Sequence, residues 1–177
     1  MKLQERDLEF DFNGAISVIK FDDGATHASS SIQAVDFIIE YEDCYRFVEI
    51  KDPDEPGAAK VDAFREKLKS GKLIRNLAGK YRDSLFFRGL QANTEKDVEY
   101  VVLLSMSALD DALFLVKQDE LKRSIPFSHQ SWQRNSATAC AILSVNQWKK
   151  RYGHDSVRRL SEAAKDDPAQ VPAKMDN

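Results

Sequence analysis

The sequence predicts an α/β protein in which helices flank a mixed central β-sheet. Residues 35–41 and 45–50 are two apolar runs on either side of a short polar turn, which predicts an antiparallel hairpin. Residues 98–106 and 137–145 are almost continuously apolar, as expected of strands buried on both faces. The segments between these strands carry apolar residues at helical spacing, which predicts crossover helices packed on the faces of the sheet.

The N-terminal segment predicts a further hairpin that extends the sheet. Residues 7–12 alternate acidic and apolar side chains, Asn13-Gly14 is a strong turn signal, and residues 15–21 are the expected partner strand. Residues 25–33 are small and polar, which predicts a loop that leads into the core hairpin.

Five helices are predicted after the core hairpin, over residues 58–69, 72–90, 108–123, 146–151 and 156–165. Pro53 and Pro56 prevent the second hairpin strand from continuing, and Ser70-Gly71 separates the first two helices. The helix over residues 72–90 has one apolar stripe of residues four apart, formed by Leu73, Leu77, Tyr81 and Leu85.

The core hairpin places three charged side chains on one face. If its turn is symmetric about Glu42 and Asp43, Asp36 lies directly opposite Glu49. Lys51 follows Glu49 by two residues, and side chains two apart on a strand share a face. The opposite face is expected to meet the core, and it carries Val35, Phe37, Ile39, Val48 and Ile50.

Two carboxylates directly across a ladder repel each other, so a cation is expected beside them. Mg²⁺ is the obvious candidate because it binds through one or two carboxylates and keeps several waters. A lysine beside such an ion can orient a nucleophilic water or stabilise the charge that develops on a phosphate. Asp36, Glu49 and Lys51 therefore favour metal-assisted hydrolysis of phosphodiesters.

These residues resemble the PD-(D/E)XK nuclease superfamily, whose members have the restriction-endonuclease-like fold. The resemblance lies in Asp36, in Glu49 and Lys51 on the next strand, in their hairpin and in the helix that follows. It covers roughly residues 35–145 in the order of elements, and its specific motif covers the hairpin alone. Val35 stands where the family name has proline.

The resemblance implies roles for these side chains. In that family the Asp and the Glu hold Mg²⁺ (or Mn²⁺) and the Lys serves the attacking water, which makes Asp36, Glu49 and Lys51 the expected catalytic residues. The backbone carbonyl of Ile50 is a further candidate metal ligand.

Two more features of the family concern the neighbouring elements. Its helix after the hairpin often donates a polar or basic side chain to the scissile phosphate, and Lys72 and Arg75 are the expected nucleic-acid-binding residues here. The family commonly adds an acidic residue from an N-terminal helix. The N-terminus of this chain is predicted to form strands, so only Glu5 and Glu9 are available for that role.

The Glu-x-Lys pattern is not specific by itself, because Glu120-Leu121-Lys122 repeats it in a predicted amphipathic helix. The hairpin copy gains weight from its strand context, from the opposed Asp36 and from the basic helix that follows. Three alternatives stay open: a solvated charge cluster on the outer face, a catalytically silent nucleic-acid- or protein-binding adaptor, and an interaction protein without a nucleic-acid role. The complete acid-acid-lysine set favours a nuclease over a decayed site.

The distribution of charge favours a polyanionic partner. The chain has a formal net charge of −3, but residues 58–90 carry nine Lys and Arg against three acids, a net charge of +6. Such asymmetry is typical of an element that faces nucleic acid, although a solvated helix face would look the same. Nucleic acid is the expected substrate, with DNA favoured over RNA by the resemblance alone.

The composition argues against several other classes. Cys44 and Cys140 form no Cys-x-x-Cys metal pair, and isolated thiols fit a reducing cytoplasm. His27, His129 and His154 lie far apart and show no zinc spacing. No apolar run approaches the length of a membrane span, and the first residues lack an apolar signal region. We therefore expect a cytoplasmic protein that does not bind membranes.

We predict one nuclease-like domain over residues 1–165 and a flexible C-terminal tail over residues 166–177, which offer little apolar surface to bury. A chain of 177 residues leaves little room for a separate domain that reads sequence. An active enzyme is therefore expected to work as a homodimer or with a partner subunit.

Overall fold

The computed structural model of this protein describes residues 1–23, 32–91 and 95–163. Its strands are β1 (Lys2–Glu5), β2 (Leu8–Asp11), β3 (Ser17–Lys20), β4 (Phe37–Glu40), β5 (Cys44–Lys51), β6 (Asp97–Leu104), β7 (Ala139–Leu143) and β8 (Val157–Arg159). Its helices are α1 (Val61–Lys69), α2 (Lys72–Leu90), α3 (Asp111–Ser124), α4 (Val145–Tyr152) and α5 (Leu160–Ala163). The predicted tail over residues 166–177 and most of the predicted loop over residues 25–33 lie outside the described residues.

The central sheet contains five strands in the order β3-β4-β5-β6-β7. β3, β4 and β5 are antiparallel neighbours, whereas β6 runs parallel to β5 and β7 parallel to β6. Parallel neighbours require a crossover, and α1 with α2 supplies the first one while α3 supplies the second. The predicted fold class is confirmed: helices flank a mixed central sheet.

Both faces of the central sheet are covered, so the sheet is the middle of three layers. On one face, α2 and α3 contribute Tyr81 and Phe114 to a core that includes Phe47 of β5. On the other face, β1, β2 and β8 form a separate three-stranded sheet that packs with α4. Phe10 of β2 meets Trp148 of α4 there, with ring centroids 5.5 Å apart.

The core hairpin has the predicted register. Phe37 of β4 pairs with Val48 of β5, and continuing this ladder by one residue places Asp36 across from Glu49. The hairpin differs from the prediction in its burial, because both faces of the two strands meet a core. Val35 was expected beside Phe37, but it packs on the α2 side of the sheet instead.

The N-terminus forms a hairpin, but this hairpin joins β1 and β2 rather than the predicted segments. β2 pairs with β1 and β8, whereas β3 leaves the small sheet and pairs with β4. The predicted pairing of residues 7–12 with residues 15–21 is therefore wrong. Leu8 and Phe10 alternate into the core under the central sheet, and Gly14 at a φ of 73° lets the chain turn away toward β4.

The predicted helix over residues 156–165 is also wrong, because its first residues form strand β8. Val157 pairs with Phe10 at the edge of the small sheet, which buries Val157 completely. The helix α5 begins only at Leu160. Pairing with a strand that lies almost 150 residues earlier cannot be read from local periodicity.

Arg159 at the end of β8 ties the small sheet to the central one. Its guanidinium donates to both carboxylate oxygens of Asp52 at 2.9 Å, to Asp7 at 3.0 Å and to the Ser105 hydroxyl at 2.9 Å. Asp52 directly follows Lys51, so this contact also fixes the end of β5.

None of the helices in the described ranges is long and apolar enough to cross a bilayer.

Arg159→Ala is expected to destabilise the fold by about 3–5 kcal/mol, because the buried carboxylate of Asp52 loses its counter-ion. Arg159→Lys is expected to destabilise the fold by less than Arg159→Ala, because the positive charge stays. It is still expected to be less stable than the unmodified protein, because one ammonium cannot reproduce the two parallel hydrogen bonds to Asp52. Urea denaturation measures both effects. Arg158→Ala is the matched control: Arg158 forms an exposed pair with Glu9, so its loss is expected to cost less than about 1 kcal/mol. Equal losses for the two arginines would contradict the assignment.

Cys44 and Cys140 are expected to react slowly with a thiol reagent at pH 8 while the protein is folded. Burial raises the pKa of Cys44 to about 11, with help from the charges of Glu99 and Asp43. Burial also raises the pKa of Cys140 to about 12. Both thiols are therefore protonated and covered, and only unfolding in denaturant is expected to expose them. Rapid modification of either thiol in the folded protein would contradict this expectation.

Candidate active site

Asp36, Glu49 and Lys51 come together at the end of β5, on the side of the sheet that faces α2. Asp36 directly precedes β4, and Glu49 and Lys51 are two residues apart on β5. Asp36 is 6% exposed and Glu49 is fully buried, whereas Lys51 reaches the surface. The alternative of a solvated charge cluster on an outer face is therefore wrong for the two carboxylates.

Asp36 is held by the backbone of the neighbouring strand. Its Oδ2 accepts a hydrogen bond of 2.5 Å from the backbone N–H of Ile50. Its Oδ1 lies 3.4 Å from the Nζ of Lys80, a residue of α2. The carboxylate is therefore oriented by two partners, one on β5 and one on the helix above the sheet.

Glu49 is the most deeply buried charge of the site. Its Oε1 lies 2.5 Å from Lys51 Nζ and 2.7 Å from Lys80 Nζ. Its Oε2 is buried and has no hydrogen-bond partner among the described residues. Burial raises the pKa of Glu49, the charge of Asp36 raises it further, and the two lysines oppose this shift. A buried carboxylate oxygen without a partner is costly unless something binds it.

Lys80 is a site residue that sequence reasoning missed. Its ammonium bridges Asp36 and Glu49, and its side chain is mostly buried. Burial lowers the pKa of Lys80, but the charges of Glu49 and Asp36 raise it by more, so the net shift is upward. The ammonium form is therefore the one that the site holds.

A signal for Lys80 was present in the helical spacing. Leu77, Lys80 and Ser84 are three and four residues apart, which places them on one face of α2. Leu77 and Ser84 are both buried, so the lysine between them points toward the sheet. Lys80 is not part of the stripe of residues four apart, so that spacing alone does not reveal it.

Lys72 and Arg75 lie elsewhere on α2. Lys72 precedes Lys80 by eight residues, about 12 Å along the helix axis. Arg75 lines a different cavity, which it shares with Lys117 and Glu120 of α3. The structure therefore does not bring either side chain to the carboxylates, and their predicted contact with nucleic acid remains a prediction.

A cavity of about 250 Å³ opens beside the carboxylates. It is lined by Glu5, Arg6, Asp22, Asp36, Ile50, Lys51, Asp52 and Lys80. The Ile50 carbonyl, a candidate metal ligand, accepts a hydrogen bond of 3.1 Å from Lys51 Nζ. The cavity therefore reaches Asp36, Lys51 and Lys80, whereas Glu49 does not line it.

Two further acids face this cavity. Glu5 of β1 reaches it and pairs with Lys20 at 2.8 Å, whereas Glu9 pairs with Arg158 on the small sheet and does not line it. Asp22 follows β3, and its pKa is raised by burial and by the charges of Asp36 and Glu5. Sequence reasoning left Asp22 out of the site because an aspartate after a strand more often stabilises a turn.

The donor set fits a hard divalent cation that keeps several waters. Asp36 and Glu49 supply two carboxylates, and the unpartnered Oε2 of Glu49 is an oxygen that a cation would satisfy. Across residues 1–23, 32–91 and 95–163, no group of three or more Asp, Glu, His or Cys side chains is positioned to hold a metal.

Ser84 of α2 holds the backbone of Val35, the residue that precedes Asp36. Its hydroxyl accepts a hydrogen bond of 3.0 Å from the backbone N–H of Val35, and both groups are buried. The same helix thus carries Lys80 to the carboxylates and holds the residue that precedes Asp36.

A larger groove lies away from these carboxylates. It has a volume of about 660 Å³ and lies between the C-terminal half of α2 and the loop over residues 126–136. Trp132 is 44% exposed at this groove. The groove contains neither Asp36 nor Lys80, so its size does not make it the centre of the chemistry.

Comparison with known proteins adds one distant likeness. No protein-family model and no curated protein matches the sequence. Among solved structures, the small subunit of the heterodimeric restriction endonuclease R.BspD6I is similar, with 13% sequence identity and a TM-score of 0.41. The match covers 86% of this chain and 68% of that one. A likeness at this level identifies neither a family nor an activity, so the function must be inferred from this chain's own residues.

Ser84→Ala is expected to destabilise the protein by about 1–3 kcal/mol, because the buried N–H of Val35 loses its acceptor. Chemical denaturation measures the change. Ser70→Ala is the matched control, because the Ser70 hydroxyl makes only an exposed contact with the carbonyl of Lys67. A loss for Ser84→Ala no larger than that of the control would show that Ser84 does not hold the entry to β4.

Proposed function

We propose that this protein is a metal-dependent nuclease of the PD-(D/E)XK type, which hydrolyses phosphodiester bonds with Mg²⁺ or Mn²⁺. The observation that carries the proposal is the buried Glu49, whose Oε1 faces Lys51 while its Oε2 has no hydrogen-bond partner within the part of the chain that the structure describes. Asp36 lies across the ladder from Glu49, and a cavity lined by Asp36, Lys51 and Lys80 opens beside it.

In this proposal Asp36, Glu49 and the Ile50 carbonyl hold the ion. When bound, the ion polarises the phosphate and lowers the pKa of a water. Lys51 orients the attacking water or stabilises charge on the phosphate, since its Nζ already lies beside Glu49 and the Ile50 carbonyl. Lys80 adds a second positive charge at the same place.

The expected substrate is nucleic acid, with DNA as the first choice. Arg6, Lys51 and Lys80 line the cavity and can contact phosphate oxygens. Lys72 and Arg75, farther along α2, are proposed to contact phosphates beyond the reacting one. Phosphate contacts supply affinity but little sequence information, so a second copy or a partner subunit is proposed to supply specificity.

The second candidate function is a catalytically silent adaptor that binds nucleic acid or protein through the same fold. One observation favours it: Lys51 and Lys80 already neutralise the charges of Asp36 and Glu49. A site of this kind is electrostatically complete without a metal ion. Metal binding in solution therefore separates the two candidates.

Asp36→Asn, Glu49→Gln and Lys51→Ala are expected to lower magnesium-dependent cleavage by about 10²-fold or more, because each removes a group that acts on the ion or the phosphate. Cleavage of plasmid and single-stranded DNA measures the activity, and calorimetry measures magnesium binding. Asn and Gln at the carboxylate positions are expected to abolish binding, whereas Lys51→Ala is expected to retain it.

Glu120→Gln and Lys122→Ala are the matched controls, because they alter the second Glu-x-Lys copy, which lies on α3. Both are expected to bind magnesium and cleave DNA like the unmodified protein. Magnesium binding without cleavage would point to a missing partner subunit or another substrate. Absence of magnesium binding in the presence of DNA would favour the adaptor.

A further inference from the structure

We infer that Lys80 is a built-in competitor of the divalent cation, so that an ion can enter the site only by displacing the Lys80 ammonium from Asp36 and Glu49. The inference rests on the proposed function, since it concerns the same two carboxylates. It assigns to Lys80 a control over metal affinity that is separate from the role of Lys51.

The first support is the position of the ammonium. Lys80 Nζ lies 2.7 Å from Glu49 Oε1 and 3.4 Å from Asp36 Oδ1, so it bridges one oxygen of each carboxylate. An ion held by Glu49 Oε2 and by Asp36 would lie on the same two carboxyl groups as the Lys80 ammonium. Lys51 does not bridge in this way, because its partners are Glu49 and the Ile50 carbonyl on its own strand.

The second support is the balance of charge. Asp36 and Glu49 carry two negative charges, and Lys51 with Lys80 carries two positive ones. A divalent ion added beside both ammonium groups would leave a net charge of +2 in a mostly buried place. Like charges at short range in a poorly solvated site repel strongly, so the ion and the Lys80 ammonium exclude one another.

The third support is that the Lys80 ammonium has space into which it can move. It lines the cavity together with Asp22 and Glu5, and its charge acts on Asp22 as well as on the site carboxylates. A lysine has a long flexible side chain with three donors, so its ammonium can turn toward the cavity without a change in α2. There it would face an arriving phosphate.

The test is a calorimetric titration of the metal-free protein with MnCl₂ or MgCl₂ alone. Lys80→Met and Lys80→Gln remove the competing charge and are expected to bind the ion roughly ten-fold or more tightly than the unmodified protein, a coupling of ordinary size. Two variants are used because either one could fold poorly. Lys80→Arg keeps the charge, and its affinity is expected to stay near that of the unmodified protein.

Lys96→Met is the matched control. The Lys96 side chain is 24% exposed, as is that of Lys80, and it pairs with Glu40 at 2.8 Å, away from the site. Its removal is expected to leave metal affinity unchanged.

Thermal unfolding gives an independent readout. In EDTA, Lys80→Met is expected to melt at a lower temperature than the unmodified protein, because two buried carboxylates share one fewer counter-ion. Magnesium is expected to raise its melting temperature by more than it raises that of the unmodified protein.

The outcomes separate this inference from the proposed function. If the unmodified protein binds the ion and cleaves DNA while the folded Lys80→Met and Lys80→Gln variants bind with unchanged or weaker affinity, the competition is disproved and the nuclease proposal stands. If no variant binds either ion, both proposals are overturned. Tighter binding in the Lys80→Arg variant would also overturn the competition, because that side chain retains its charge.

Discussion

Two carboxylates buried opposite each other on one sheet face are the constraint around which this part of the molecule is organised. Asp36 and Glu49 would repel each other strongly at their low exposure if nothing offset their charges. Lys51 on the same strand and Lys80 from α2 offset these charges, and the backbone N–H of Ile50 holds the Asp36 carboxylate in place. Replacing a buried ion pair by apolar side chains of similar volume is often neutral or stabilising, so stability alone does not account for this cluster.

The surrounding elements hold the cluster from three directions. α2 carries Lys80 to the carboxylates, and its Ser84 holds the backbone just before Asp36. At the end of β5, Asp52 accepts two hydrogen bonds from Arg159 of the small sheet, which restrains the residue next to Lys51. The small sheet thus has a role beyond covering the core. It anchors the strand end from which Lys51 reaches the cavity.

The sequence predicted those parts of this arrangement that depend on short-range periodicity. The β4–β5 register follows from a symmetric turn and an alternation of period two, and it placed Asp36 opposite Glu49. The rotation of α2 was harder to predict, because a shift of one position decides whether Lys80 faces the sheet or the solvent. The pairing of β2 with β8 could not be predicted locally, since it joins residues from opposite ends of the described chain. Asn13-Gly14 is a genuine turn, but a turn signal does not say which strand pairs with which.

The charges around the cavity suggest an order of binding for the proposed reaction. Glu5, Asp22 and Asp36 line it together with Arg6, Lys51 and Lys80, and Glu49 lies behind them. Asp52, Glu5 and Arg6 are already paired, with Arg159, Lys20 and Glu55 respectively. Of the remaining charges, the three acids Asp22, Asp36 and Glu49 outnumber the two lysines. A phosphodiester entering this cavity without an ion would meet a net negative surface. A divalent cation reverses that sign and, by displacing Lys80, also frees a positive charge for the phosphate. The electrostatics therefore favour binding of the ion before the substrate or together with it.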